Sequence, residues 1–367
     1  MMDRGKRPSN LLGAMMNYKI YMELKDIVRE HALCFLPAKS LFRFQSVCRD
    51  WKQQISTPFF AHNQSLAFHT ALGFFCQTRG NAASFVACDP KSCGVPDPSL
   101  GFLPEPVDIR SSSNGLLCCQ ARTGDRAYYI CNPATKQWKQ LPKPNADHGS
   151  ESSAVIIFQP SLLNFVAEYK VVCAFQSTDF DDALEFEIYS STENSWKVSG
   201  EICFVSGSVS PLAGVHVNNV IYWKFKKGSC GSAMIVYDVT KDRSQLLQDY
   251  YLRAGSLGCL NGKLCLAAVS GRTLVVNILA NVHSNTMAMD SRAKMWEQVR
   301  RTMFDSKVIG EDGCDAVVMV ADNILVMKNE SKMYSFDLKT EEIKELGSAS
   351  VCKGAVCIPY VNSLVNI

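Results

Sequence analysis

The sequence lacks the short motifs that identify the common enzyme classes. Its 367 residues contain no Walker loop, no G-x-G-x-x-G after a strand, no G-x-S-x-G elbow and no H-E-x-x-H. The six histidines are isolated from one another, and His216, which lies beside a predicted strand, is interpreted as a partly buried core residue rather than a base. We therefore expect no catalytic residue and no cofactor.

The sequence also lacks an excess of one charge and any long apolar run. Its 38 basic and 35 acidic side chains give a net charge of +3, which is too balanced to predict nucleic acid or an anionic membrane as a partner. No apolar run approaches the roughly 20 residues of a transmembrane helix. The apolar stretch at residues 11–16 is too short for a secretory signal. We expect a reducing compartment, the cytoplasm or the nucleus.

The 16 cysteines form no recognisable metal or disulfide pattern. There is no C-x-x-C pair, and Cys352 and Cys357, like Cys88 and Cys93, are separated by four residues without a second ligand pair at zinc-finger spacing. A free cysteine in a core behaves as a small hydrophobic residue. The cysteines are therefore interpreted as buried and reduced, and no metal site is predicted.

Residues 22–56 show the apolar period of helices. Leu36-Pro37 interrupts this period, because proline ends a helix or occupies the first turn of the next one. Beyond it, the spacing predicts a single apolar stripe formed by Leu41, Phe44, Cys48, Trp51 and Ile55. About 40 residues cannot bury much of a core alone, so this stripe must pack on the rest of the chain or on another protein.

The segment LPAKSLFRFQSVCRDWKQQISTPFF, residues 36–60, resembles the second half of an F-box. The first half departs from the pattern, since Leu24-Lys25 replaces the usual Leu-Pro and Ala32-Leu33 replaces Ile-Leu. The resemblance implies docking on a Skp-type adaptor, and through it on a cullin, by helix-in-groove recognition. It assigns to the adaptor-binding motif the residues Leu24, Val28, Leu33, Leu36, Pro37, Leu41, Val47, Cys48 and Trp51. Which of them face the adaptor and which form the small core is left open.

From about residue 65 the apolar period changes to that of strands, with regular turn signals. Asparagine-centred turns are predicted at Asn114-Gly115, Asn164, Asn218-Asn219, Asn261-Gly262 and Asp322-Asn323. A second turn marker recurs on average about every 50 residues, at Asp89, Asn132, Ser190, Asp238, Asn277 and Asp337. This period predicts an all-β, kelch-like propeller of six blades, closed by pairing of residues 66–75 with 351–361. A two-sheet sandwich is the alternative.

The body also resembles a known family. SSSNGLLCCQARTGDRAYYICNPATKQWKQLPKP, residues 111–144, is similar to the F-box-associated region of plant F-box proteins. Head and body together indicate a plant F-box protein with a C-terminal, kelch-like F-box-associated domain. We expect a flexible N-terminal segment at 1–20, a small all-α F-box module at 21–62 and the propeller at 63–367.

Two groups of residues were considered as ligand sites. The acidic cluster of Asp179, Asp181 and Asp182, beside Glu185 and Glu187, is interpreted as a solvated loop rather than a metal or carboxylate site. The second group is interpreted as packing between blades, and its members are Tyr222, Trp223, Phe225, Tyr250 and Tyr251.

These features predict a substrate receptor of a Skp–cullin–F-box ubiquitin ligase. The helical module would dock on the adaptor, and the propeller would bind an unidentified target protein without catalysing a reaction itself. The alternative is a propeller enzyme or glycan-binding protein whose helices form a cap. A third hypothesis is an F-box protein that acts outside the ligase.

Overall fold

The computed structural model describes residues 27–28, 32–67, 71, 73–89, 94–150, 152–161, 166–205, 214–227, 231–248, 255–280 and 296–367. These residues form a short helical part followed by an all-β body. The segment 1–20, predicted to be flexible, lies outside the described residues. Among the described helices, none is long and apolar enough to cross a membrane.

The helical part contains more breaks than its sequence predicts. It consists of a 3-10 helix, Leu33–Phe35, and of α1 (Ala38–Phe44), α2 (Arg49–Ile55) and α3 (Pro58–Ala67). The prediction of one continuous stripe is therefore wrong, because the chain turns between α1 and α2. Cys48 adopts an extended conformation there, and its Sγ accepts a hydrogen bond from the Trp51 amide at 3.4 Å. Cys48 thus acts as the N-cap of α2, a position where side-chain acceptors satisfy free amides.

The body consists of antiparallel meanders of short strands. The first and last strands form a three-stranded sheet made of β1 (Gly73–Gln77), β2 (Ser84–Ala87) and β23 (Val356–Tyr360). The next sheet contains β3 (Val107–Ser113), β4 (Leu116–Ala121), β5 (Tyr128–Asn132) and β6 (Gln137–Gln140). The third contains β7 (Ser153–Phe158), β8 (Tyr169–Gln176), β9 (Ala183–Ser190) and β10 (Ser195–Phe204). The fourth contains β11 (Val215–Val217), β12 (Val220–Lys227), β13 (Gly231–Asp238) and β14 (Arg243–Gln248).

The remaining eight strands form one sheet. Its first meander is β15 (Ser256–Leu260), β16 (Lys263–Ser270), β17 (Thr273–Leu279) and β18 (Trp296–Met303). After the short helix α4 (Ser306–Ile309), the second meander is β19 (Ala316–Ala321), β20 (Ile324–Lys328), β21 (Lys332–Asp337) and β22 (Ile343–Ser348). The two meanders join where β15 and β19 run parallel, through the pair Cys259 and Ala321. The described residues therefore form five hydrogen-bonded sheets, and the prediction of six blades is wrong.

Most of the predicted turns are confirmed. Asn114, Asn218, Asn261 and Asp322 each have a positive φ, between 43° and 51°, and each lies between two paired strands. Asparagine and aspartate tolerate this left-handed conformation better than other residues with a side chain. Asn164 lies outside the described residues.

One residue of the second turn marker was misassigned. Asn277 lies inside β17 and pairs with Leu266 on one side and Gln298 on the other. The apolar residues Ile278 and Leu279 continue the strand beyond it. Asn277 therefore fits the spacing of about 50 residues, but it lies in the interior of a strand and not at a turn.

Successive groups of strands pack face to face, and the last packs on the first. Buried clusters lie between neighbouring groups, as between β3–β6 and β7–β10 and between β19–β22 and the three-stranded sheet. In that three-stranded sheet β1 pairs with β23 from Gly73–Tyr360 to Gln77–Val356, which confirms the predicted closure. The arrangement is propeller-like, and the closing sheet removes two open edges that would otherwise invite association.

The C-terminal segment after β23 is buried in the body. Asn132, which is fully buried, donates from Nδ2 to the carbonyl oxygens of Ser363 at 3.1 Å and Val365 at 2.8 Å. Its Oδ1 accepts from the Ala134 amide at 3.0 Å. Gly115 allows the close approach of this segment, because a Cβ at its positive φ would overlap Ser363.

We predict that Asn132→Ala lowers the free energy of unfolding by about 3 kcal/mol, because it leaves buried carbonyl and amide groups without partners. Urea unfolding followed by circular dichroism measures this change. Gln140→Ala, an exposed substitution in the same sheet, serves as the control and should stay within about 0.5 kcal/mol of the wild type. Equal stability of the two variants would show that Asn132 does not hold the C-terminal segment.

Candidate functional site

The residues predicted to bind an adaptor divide into an interior group and an outer group. Leu33 and Leu41 are fully buried, whereas Val28, Leu36 and Trp51 are half-buried against the same cluster. Pro37 is half-buried as well. Val47 and Cys48 are exposed, and Leu24 lies outside the described residues.

The interior group packs partly on the body. Leu33, Leu41 and Ile55 form one buried cluster with Ala134 and Leu364, which follow β5 and β23. Polar contacts reinforce this junction, because Gln64 of α3 donates to the Asn362 carbonyl at 3.4 Å and accepts from the Leu364 amide at 3.3 Å. These contacts support the hypothesis that the stripe packs on the rest of the chain. Packing of the helical part on another protein stays a prediction.

The helical part leaves apolar side chains in solvent, most of them at positions outside the predicted set. Phe35 is 60% exposed and Val47 is 61% exposed, and Phe42 and Phe59 are also exposed. We call these four residues the head surface. Single exposed apolar residues are ordinary, but four of them on a module of four short helical elements make much of its exposed surface apolar.

The charges around the head surface have one dominant sign. Between residues 32 and 67 the basic side chains are Lys39, Arg43, Arg49 and Lys52, and Asp50 is the single acidic one. All five are exposed. An excess of exposed basic side chains on the helical part favours a partner that carries carboxylates, because complementary charge accelerates association and orients the partner.

A second constellation lies in the body and was not predicted. His148 and Glu187 are both buried, and His148 Nε2 lies 2.7 Å from a Glu187 carboxylate oxygen. The same carboxylate accepts from the Asn145 and Ala146 amides at 2.9 Å and 3.2 Å. On its other side, His148 Nδ1 lies 3.0 Å from the Tyr128 hydroxyl.

These contacts make the pair an ion pair. Burial alone would lower the pKa of His148, but Cys173 and the hydrogen-bonded Glu187 outweigh it and raise that pKa to about 9. Burial would raise the pKa of Glu187, yet hydrogen bonds from His148 and from the Asn145 and Ala146 backbone hold it below its usual value. A buried charge pair with its remaining hydrogen bonds satisfied fixes geometry, and here it fastens residues 145–148 to β9.

A cleft of about 480 Å³ opens beside this pair, and it is polar. Its walls include Gln120, Arg126, Lys143 and Asp147 as well as His148. Arg126 and Asp147 pair at 4.0 Å on an exposed surface, where such pairs contribute little. Glu187 is the one buried carboxylate among the described residues, and it is fully engaged by donors. The carboxylates that line the cleft are Asp125 and Asp147, which are exposed and lie 3.8 Å from Lys143 and 4.0 Å from Arg126.

The other ligand candidates from the sequence are structural. Asp179, Asp181 and Asp182 are exposed, as expected for a solvated loop. Tyr222 and Trp223 are buried between sheets, as packing residues are. The side chain of Phe225 and residues 250–251 lie outside the described part.

His216 also behaves as a structural residue. Its Nε2 accepts from the Asn219 amide at 3.1 Å, and burial lowers its pKa to about 4. The imidazole is therefore neutral at physiological pH and closes the turn between β11 and β12.

Sequence reasoning missed three contacts that join distant residues. His148 and Glu187 lie 39 positions apart, and no spacing rule connects them. The cysteines in the described part of the chain are free, and most of them are buried as predicted, but Cys76 lies beside Cys352 and Cys357. Nothing in the sequence around Gln64 predicted its contacts. Its side-chain amide forms hydrogen bonds with the C-terminal segment and so joins the helical part to the body.

Comparisons with known proteins agree with this architecture. Residues 24–63 match the F-box domain model, and residues 92–363 match the model described as F-box protein At3g26010-like, beta-propeller. The chain is 31% identical over 236 residues to F-box protein At5g49610 of Arabidopsis thaliana, covering 59% of this chain and 62% of that protein. It is 24% identical over 237 residues to the Arabidopsis F-box/kelch-repeat protein At3g23880, covering 58% and 62% of the two chains. The matches thus span about three fifths of the length of these relatives.

We predict that the His148–Glu187 pair makes stability depend on pH between 6.5 and 9. The folded-state pKa of His148 is raised above the ordinary value of 6.5 to about 9, so the contribution of the charged imidazole to stability is complete below about pH 6.5 and is lost as pH rises through about 9. The wild type should lose roughly 3 kcal/mol more than His148→Gln over this range. Urea unfolding at several pH values measures how the free energy of unfolding changes with pH in the wild type and in His148→Gln.

His216→Gln is the matched control for this prediction. The pKa of His216 is lowered, so its imidazole is neutral throughout the range from 6.5 to 9 and its replacement should leave the slope unchanged. Parallel slopes for the wild type and His148→Gln would contradict a charged His148 in the folded protein.

Proposed function

The chain belongs to the family of F-box proteins with an At3g26010-like β-propeller, and we propose that it is a substrate-receptor subunit of a Skp–cullin–F-box ubiquitin ligase. Its F-box module would dock on a Skp-type adaptor, and through it on a cullin. Its propeller would bind a target protein. The observation that carries this proposal is the head surface, which remains apolar and exposed after the module has packed on the body.

The predicted adaptor-binding residues take two roles in this proposal. Val47 belongs to the head surface and would contact the adaptor directly. Leu33 and Leu41 are fully buried and would support the shape of the module. The half-buried Trp51 packs against Phe44 with ring centroids 5.3 Å apart, and would position α2 against α1. Leu24, outside the described residues, keeps its predicted role in the motif.

The body would present the target. Loops between strands on a closed scaffold are the usual place for binding residues. The receptor would act by raising the local concentration of its target near an enzyme that carries ubiquitin. F-box proteins are generally non-catalytic adaptors, and no catalysis is assigned to this chain. The proposed divisions remain 1–20, 21–62 and 63–367, with function in the cytoplasm or nucleus.

We predict that Val47→Asp weakens adaptor binding by roughly thirtyfold or more, because a buried carboxylate without a partner costs an apolar interface about 2 kcal/mol or more. Isothermal titration of the full chain with a purified plant Skp-type adaptor measures the change. Thermal unfolding should be unaffected, since Val47 is exposed in the free chain.

Val198→Asp supplies a matched control for Val47→Asp. Val198 is an exposed valine of β10, so it introduces the same charge on the body. We expect adaptor affinity within about twofold of the wild type for this variant. Equal losses in the two variants would place the adaptor interface elsewhere or reflect a general effect of added charge.

Leu41→Ala should behave differently from Val47→Asp. It removes a fully buried side chain and should lower the free energy of unfolding by about 2–5 kcal/mol. Leu41 packs in the cluster that includes Ala134 and Leu364, and Trp51 packs against the same cluster. Urea unfolding followed by intrinsic fluorescence should therefore detect the loss of stability in the head and at its junction with the body. A variant with unchanged stability that fails to bind the adaptor would place Leu41 in the interface instead.

A further inference from the structure

Three cysteines and one methionine converge where the body closes. Cys76 lies on β1, Cys357 on the paired β23 and Cys352 at the end of the 3-10 helix Ala349–Cys352. Cys76 Sγ is 3.2 Å from Cys352 Sγ and 3.6 Å from Cys357 Sγ, and all three sulfurs lie within 4.8 Å of one another. The Met333 Sδ of β21 is 3.3 Å from Cys352 Sγ.

This convergence is specific to these cysteines. Among the described residues, it is the one group of three or more cysteine, histidine or carboxylate side chains whose ligand atoms meet in this way. Cys88 belongs to the same buried cluster but not to this group. Packing alone requires cysteines to be buried; it does not require three of them to direct their sulfur atoms at one point.

The distances suit a single metal ion. Metal–thiolate bonds of about 2.3 Å place sulfur ligands about 4 Å apart around a common ion. To reach that spacing, the Cys76–Cys352 sulfur distance of 3.2 Å must lengthen by about 0.8 Å and the Cys76–Cys357 distance of 3.6 Å by about 0.4 Å. Cys76, Cys352 and Met333 are buried, whereas Cys357 is half-buried and so partly accessible to solvent.

The donor set indicates which ion. Thiolate and thioether sulfurs are soft ligands that select Cu(I), whereas zinc sites are completed by cysteine, histidine or carboxylate rather than by methionine. We propose that Cys76, Cys352 and Cys357, with Met333 beside them, form a Cu(I)-binding site at the closure of the propeller. The ion would join β1 to β23 and to the 3-10 helix.

Titration of the reduced, full-length protein with Cu(I), in the presence of a competing chromogenic chelator and without oxygen, tests the proposal. We expect one Cu(I) per chain, held by sulfur ligands in X-ray absorption spectra of the loaded wild type. Cys76→Ser, Cys352→Ser and Cys357→Ser should each weaken binding at least tenfold. Binding should also raise the temperature of unfolding of the wild type, because an ion bound only by the folded state stabilises it.

Cys88→Ser is the control, since it replaces a cysteine of the same buried cluster outside the sulfur group. It should keep the wild-type affinity for Cu(I). The absorption spectrum needs no variant, so it remains decisive if a cysteine substitution prevents folding. A spectrum dominated by nitrogen or oxygen ligands, equal weakening by Cys88→Ser, or a Cys76–Cys352 disulfide in protein whose thiols were trapped at lysis would overturn the assignment.

Discussion

The pairing of β1 with β23 is the constraint on which the other contacts depend. It joins residues at opposite ends of the body, from Gly73 opposite Tyr360 to Gln77 opposite Val356. The entropic cost of closing so long a loop grows only slowly with its length, whereas an unclosed body would leave two strand edges exposed. Closure also determines where the C-terminal segment lies, because this segment follows β23 directly. Asn132 and Gln64 both bond to it.

The predictable part of the fold is the part whose cause is local. Asn114, Asn218 and Asn261 revealed their turns because the left-handed backbone of a tight hairpin restricts the residues that fit there. The breaks in the helical part were less predictable. Cys48 lies at the helical spacing of the apolar stripe, yet its thiol caps the N-terminus of α2. Because a capping residue can have the same spacing as the apolar residues, the spacing did not reveal the break. The separation of the sheets was unpredictable too, since one parallel pair between Cys259 and Ala321 joins two meanders.

The candidate sites depend on contacts that no spacing rule records. His148 and Glu187 meet because two groups of strands pack together, and Cys76 meets Cys357 because the first strand pairs with the last. For the helical head, the motif identified a set of residues but not which of them are buried, because interior and exterior positions both carry apolar side chains. Leu41 and Val47 both belong to the F-box motif. The structure shows that Leu41 is buried in a cluster with Leu364 of the body, whereas Val47 is exposed.

Contact between the head and the body affects how a receptor of this architecture would work. Gln64 and the cluster around Leu41 attach the helices to the segment that also anchors in the first four-stranded sheet. A freely jointed head would spread a bound target over a wide volume, since the effective concentration falls as a linker lengthens. Direct packing instead fixes the direction from the head surface to each loop of the propeller. Under the proposed function, the loop that binds the target would therefore determine which lysines of the target reach the enzyme that carries ubiquitin. The packing around Leu364 would thus contribute to the selection of lysines without contacting the target.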